Sequence, residues 1–244
     1  MQGLKIHALT AHTTAAKYLE GQVITIDKPL GWTSFQVVNK VRWLLKRHLG
    51  IKKLKVGHAG TLDPLASGLL ILCTGKETKN IENFMGQQKT YTGTMLLGAT
   101  TPSYDLETDV DNVYPTEHIT DRQVIACAKE LTGDIMQKPP LFSALKQGGE
   151  RLYNLARSGA TAEIPARPVH VHEFITDTDN FPEVGFRITC GKGTYIRSLA
   201  HDLGAMLGCG AHLTGLRRTV IGNYDVDDAM TIESFEDKIR AETA

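Results

Sequence analysis

Gly57-His58-Ala59-Gly60-Thr61-Leu62-Asp63-Pro64-Leu65-Ala66-Ser67-Gly68, running straight into Leu69-Leu70-Ile71-Leu72-Cys73, is the stretch from which the rest of the chain can be read. Three glycines in twelve residues permit backbone conformations that other residues resist, so the loop can hold His58 and Asp63 at defined positions beside a ligand. The apolar run behind it has the length of a buried strand. Asp-Pro by itself is a common turn. His58 and Asp63 are two potential metal ligands with no third at a recognisable spacing, so no metal site is expected. Gly75-Lys76 is followed by Glu77 and Gly191-Lys192 by Gly193, where a nucleotide phosphate loop needs serine or threonine. No G-x-S-x-G elbow supports a serine hydrolase.

Upstream, Val23 to Ile26 alternates as a strand does, and Lys28-Pro29-Leu30-Gly31 supplies a turn. Thr33 or Ser34 can cap a helix in which Phe35, Val38, Val41, Leu44 and Leu45 recur at helical spacing, with Gly50 as its stop. Between Asp27 and Asp63 there is no acidic residue, yet the interval holds Lys28, Lys40, Arg42, Lys46, Arg47, Lys52, Lys53 and Lys55. The net charge of zero therefore divides into +8 for this block and −8 for the remainder. Such a block is often a solvated face. One that leads into a glycine-rich loop with a carboxylate suggests a polyanion brought to a reactive group.

Downstream, Tyr91 to Leu97, Val184 to Thr189 and His212 to Val220 read as strands, and a short helix is expected between Cys73 and Tyr91. Further helices are expected over about 121–131 and 195–207. Helices and strands mix without a regular βαβ rhythm, which predicts one main α+β domain. The stretch 134–159, DIMQKPPLFSALKQGGERLYNLARSG, does not fit a compact core and reads as an inserted arm. Hydrophobic residues at 41% and charged residues at 22% exclude a disordered or fibrous chain. Four widely spaced cysteines form no C-x-x-C pair and are read as reduced. Neither a signal-peptide core nor a membrane-length apolar run is visible, so no membrane association and a cytoplasmic location are expected.

The chain resembles the bacterial tRNA pseudouridine-55 synthases of the TruB family. The resemblance covers Gly21 to about Asp228. It is carried by Asp27-Lys28-Pro29 with Gly31 and Ser34, the GHAGTLDPLASGLL loop, Lys89-Thr90-Tyr91, KPPLFSALK at 138–146, and Arg151-Leu152-Tyr153. It closes with CGKGTYI at 190–196, Arg197, Cys209-Gly210-Ala211-His212 and Leu216-Arg217-Arg218. It implies a pseudouridine-synthase fold with a central mixed, mostly antiparallel sheet flanked by helices, and an inserted thumb at about 131–159 that closes on the tRNA T-arm. Residues 1–20 would be an extension, 21–230 the catalytic domain and 231–244 a short helix or tail. The PUA domain that usually follows is expected to be missing.

The implied reaction isomerises uridine 55 of the T-loop after the base is flipped out, with Asp63 as the catalytic carboxylate. Arg197 would pair with it, and the Tyr91 ring would stack on the base. His58 would fill the space that flipped bases vacate, while Tyr195 and Leu216 would line the pocket. Lys28, Lys146 and Arg151 would contact RNA. No cofactor and no obligatory protein partner are implied. A uridine isomerase aimed at another or a guide-selected RNA, and a tRNA-folding chaperone, are the alternatives.

Overall fold

The computed structural model describes residues 15–143, 145–147, 150–152 and 164–243. The chain divides into two compact units, residues 1–87 with 217–244, and residues 88–216.

The first unit is built on β1 (Val23–Lys28), α1 (Ser34–Leu49), β2 (Val56–His58) and β3 (Ala66–Thr74). A 3₁₀ turn (Gly75–Asn80) and α2 (Ile81–Gly86) follow. β1 and β2 both pair antiparallel with β3. β3 is an unbroken apolar run because both of its faces are covered. Leu70 and Leu72 join a core made by α1 and the C-terminal helix, while Leu69, Ile71 and Cys73 join a second cluster with Ile221 and Val226. α1 starts in a capping box, Thr33 accepting from the Gln36 amide while Gln36 reaches back, and ends on Gly50 at φ 64. Its buried face is Val37, Val38, Val41, Leu44 and Leu45. Phe35, expected on that face, is exposed, because the stripe begins at Val37.

The second unit contains β4 (Lys89–Leu97), α3 (Asp121–Glu130), β7 (Gly133–Gln137), β10 (Arg167–Asp177), β11 (Glu183–Cys190) and α4 (Ile196–Met206). Short ladders join β5 (Ala99–Thr100) to β6 (Asn112–Val113), and β8 (Lys146–Gln147) to β9 (Glu150–Arg151). Its strands run in the order β4-β11-β10-β7, with each of these pairings antiparallel. The long strand β12 (Ala211–Ile221) crosses the division at Leu216 and Arg217. It pairs with β4 and with β3, and it ends in a hairpin with β13 (Tyr224–Asp225). Helix α5 (Ile232–Ala241) buries Ile232, Phe235 and Ile239 in the first unit's core.

The α+β class with a mostly antiparallel sheet is thus as expected, but the start of the arm is not. Residues 133–137 form a strand that pairs along Arg167–Val171, with Gln137 buried and Asp134 and Met136 on the open face. Of the expected arm, Gly148, Gly149, Tyr153 and Arg157 lie outside the described residues. Cys73, Cys190 and Cys209 are buried and Cys127 is partly so, all as free thiols. Among the described residues no helix is long and apolar enough to cross a membrane.

Candidate active site

In the first unit, Asp63 sits in a turn between β2 and β3 whose backbone is pinned at several points. The Ser34 hydroxyl, in the first turn of α1, donates to the Leu62 carbonyl at 3.1 Å and accepts from the Leu62 amide at 2.9 Å. The Gly31 amide donates to Pro64 at 2.8 Å, and the Ala66 amide closes the turn on the Asp63 carbonyl at 3.1 Å. Leu62 is buried, whereas Asp63 is half-buried. The turn is therefore held in backbone at a residue that is itself only half-buried.

Two buried cations stand behind it. Arg218 is 1% exposed, with Nε donating to Leu69 O at 2.8 Å and Nη2 to Gly60 O at 3.3 Å. Lys28 is fully buried, and its Nζ donates to Trp32 O at 2.6 Å and Pro29 O at 3.0 Å. Burial pushes the Lys28 ammonium down to about 8, the Asp63 carboxylate pulls it back up, and Arg218 adds to the depression. Burial also lowers His58, with Arg218 contributing, so this half-buried ring is a neutral imidazole near pH 7. The space for Arg218 depends on Gly68. At φ 105, a Cβ there would meet the Arg218 carbonyl at 2.3 Å. Next to Arg218, Arg217 forks onto Asp27 at 3.0 and 2.7 Å.

In the second unit, Arg197 is buried in the first turn of α4. Its Nη1 donates to Ser103 O at 3.0 Å and its Nη2 to Phe142 O at 2.8 Å, and Asp105 lies 3.6 Å from Nε. Tyr195 caps the same helix half-buried. The Gln137 side chain brackets it, donating to its carbonyl at 3.0 Å and accepting from its amide at 2.8 Å. Ser198 donates to Lys138 O at 2.8 Å. Tyr91 is a buried residue of β4 opposite Ile188, and Leu216 is half-buried on β12. Lys146 and Arg151 face each other in the β8–β9 ladder. Close by on α4, burial pushes the Asp202 carboxyl up to about 6, and His201 stacks on Tyr104 at 3.9 Å.

Asp63, His58 and Lys28 are thus gathered in the first unit, and Tyr91, Tyr195 and Arg197 belong to the second. Sequence reasoning assigned no role to Gln137, Ser103, Asp105 or Arg218. A basic residue inside an apolar strand pattern is a signal that could have found Arg218, since a buried charge needs a built set of partners.

Comparison with known proteins supplies the reaction class. Residues 46–196 match the TruB family pseudouridylate synthase N-terminal domain, and residues 197–244 match the tRNA pseudouridylate synthase B C-terminal domain. A tRNA pseudouridine synthase B of Flavobacterium johnsoniae is 55% identical over 93% of this chain and 100% of its own length. One from Phocaeicola vulgatus is 53% identical over 89% of this chain and 93% of its own. A solved chain of a Cbf5-Nop10-Gar1 complex superposes with a TM-score of 0.69 at 29% identity, covering 94% of this chain. A chain of an H/ACA RNP bound to a substrate RNA containing 2′-deoxyuridine gives 0.65 at 28% identity, covering 92% of this chain. This chain spans 61% and 55% of the length of those two. The class is therefore that of pseudouridine synthases, isomerases that turn a uridine into its C-glycoside. Within it, the chain belongs to the TruB family, whose N-terminal domain alone matches more than half of the sequence.

Proposed function

We propose that this enzyme isomerises uridine 55 in the T-loop of tRNA, with Asp63 as the carboxylate that acts on the reacting nucleotide. The observation that carries this reading is the pinned turn, which fixes the backbone on both sides of Asp63 while the side chain stays partly open. The uridine loses its N1–C1′ bond, the uracil turns, C5 bonds to C1′, and the C5 proton leaves. The change is redox-neutral and balanced without a co-reactant. An ionised Asp63 begins it, either by attacking C1′ or by taking a proton from C2′.

The remaining roles follow the family assignment. The base leaves the RNA stack before reaction. Tyr91 stacks on it, with its hydroxyl serving the proton at C5. Tyr195 and Leu216 line the base pocket, His58 occupies vacated space in the RNA, and Arg197 belongs to the catalytic set. Lys146 and Arg151 contact phosphates of the T-arm. Identity of 55% across the whole of a bacterial tRNA pseudouridine synthase B, against 29% across part of a chain from a Cbf5-Nop10-Gar1 complex, favours tRNA over a guide-selected target. The test is to incubate the protein with unmodified tRNA transcript and map pseudouridine at single-nucleotide resolution. One new site, at position 55, is expected. Modification elsewhere, or none, overturns the assignment.

A further inference from the structure

Helix α1 begins at the catalytic turn through Ser34 and ends in a patch to which the reaction assigns nothing. Trp43 is 46% exposed. Lys40 and Arg47 lie over its ring at 4.8 and 4.9 Å from the centroid. A concavity lined by Trp43, Lys46, Arg47, Gly50, Ile51 and Lys52 opens beside it. From Lys46 to Lys55 the chain carries Lys46, Arg47, Lys52, Lys53 and Lys55 without a single carboxylate. All five are exposed, and among the described residues none forms an ion pair. Cations at a helix C-terminus complement its dipole, which accounts for Lys46 and Arg47 within the last turn. It does not account for three further lysines beyond the Gly50 cap, nor for an indole left 46% exposed among them.

We infer that the C-terminal end of α1, with Trp43 as a stacking platform and Lys46, Arg47 and Lys52 as phosphate contacts, is a second RNA-binding site on the enzyme. The inference rests on the reading that the substrate is a folded RNA. Lys40 is held by Glu236 at 3.4 Å, but an exposed aromatic beside the unpaired Lys46, Arg47 and Lys52 fits a nucleotide through both its charge and its π face. At 1.5 Å per residue, Trp43 lies about 14 Å and Arg47 about 20 Å along the helix from Ser34. The site therefore grips the RNA well away from the uridine being changed, and contributes to affinity without touching the chemistry.

The experiment compares wild type, Trp43→Ala and the double variant Lys46→Gln/Lys52→Gln. Glutamine avoids placing an anion against the helix C-terminus. Binding of tRNA transcript is followed by fluorescence anisotropy at several salt concentrations, and turnover is followed on the same RNA. Trp43→Ala should weaken binding and raise KM about ten-fold, the loss of one stacked base. The double variant should flatten the plot of log affinity against log salt by about two. The rate at saturating RNA and the modified position should stay as in wild type. Trimming the RNA away from the target should then abolish the difference between wild type and variants. Wild-type affinity and slope in both variants overturn the inference, as does a fall in saturating rate with unchanged KM. Absence of turnover in the wild-type protein would instead refute the isomerase reading, while the anisotropy comparison still decides this one.

Discussion

At the scale of single residues, the proposed catalytic carboxylate, Asp63, shares its unit with a buried lysine whose protonation is shifted by desolvation. Asp63→Asn keeps the shape of the turn and removes the charge. Single-turnover product formation should fall by roughly 10³-fold or more while RNA affinity is retained. Residual turnover near wild type would take Asp63 out of the reaction. Arg197→Lys keeps a charge but loses the fork that reaches both Ser103 O and Phe142 O. It should cost about 2–4 kcal/mol in urea denaturation and depress turnover. Lys28 gives a pH signature. Its folded value of about 8 lies below its ordinary 10.5, so between these values the unfolded chain binds the extra proton. Stability from this group therefore rises as pH climbs from about 8 to 10.5, and its burial penalty is greatest below 8. Denaturation curves for Lys28→Met should lack that rise relative to wild type. Asp202 runs the other way in the acid range. Its folded value of about 6 is above 3.8, so its contribution falls as pH rises from about 4 to 6. Asp202→Asn should be more stable than wild type at pH 7, by on the order of 1 kcal/mol after screening, and the advantage should vanish below about pH 4.

At the scale of elements, Gly68 is where β3 and β12 approach too closely for a side chain. A methyl group there meets the Arg218 carbonyl on β12 at 2.3 Å, and the backbone is at φ 105. Gly68→Ala should destabilise the protein by roughly 3 kcal/mol or more, read as a lowered denaturation midpoint or loss of soluble protein. How legible each element was in the sequence follows from local physics. α1 could be read end to end because its cap, spacing and glycine stop are all local signals. β3 could be read because a strand covered on both faces is an unbroken apolar run. β10 escaped because a bulge between Val171 and Glu173 shifts its parity. Val169 and Val171 face inward and then Phe174 does, so strict alternation fails. β7 escaped because five residues with two exposed positions resemble a loop, and Pro139-Pro140 directly after it pointed to an arm. The turn that carries Asp63 was legible through a long motif. Gln137, Ser103 and Asp105 were not, because each acts on a helix 58 to 94 residues away and nothing nearby in sequence marks the pairing.

At the scale of the whole molecule, a formal charge of zero hides a polarised chain, with eight cations and no acid between Asp27 and Asp63. RNA affinity should thus fall steeply with salt despite a pI near neutrality, because counterion release depends on the local patch and not on the total. A flat salt response would mean that these charges are merely solvated. The first unit is also discontinuous, assembled from residues 1–87 and 217–244. The guanidinium that holds Gly60 and Leu69 belongs to a residue 149 positions after Leu69. At about 5–20 residues per second of synthesis, roughly seven to thirty seconds separate the emergence of the aspartate turn from that of its brace. A nascent chain interrupted anywhere in that interval displays Asp63 on a loop without Arg218 behind it, and β3 without its β12 neighbour. Completion of translation is in this sense built into the assembly of the aspartate turn: an unfinished chain can carry the motif, but not the buried guanidinium that holds the loop around it.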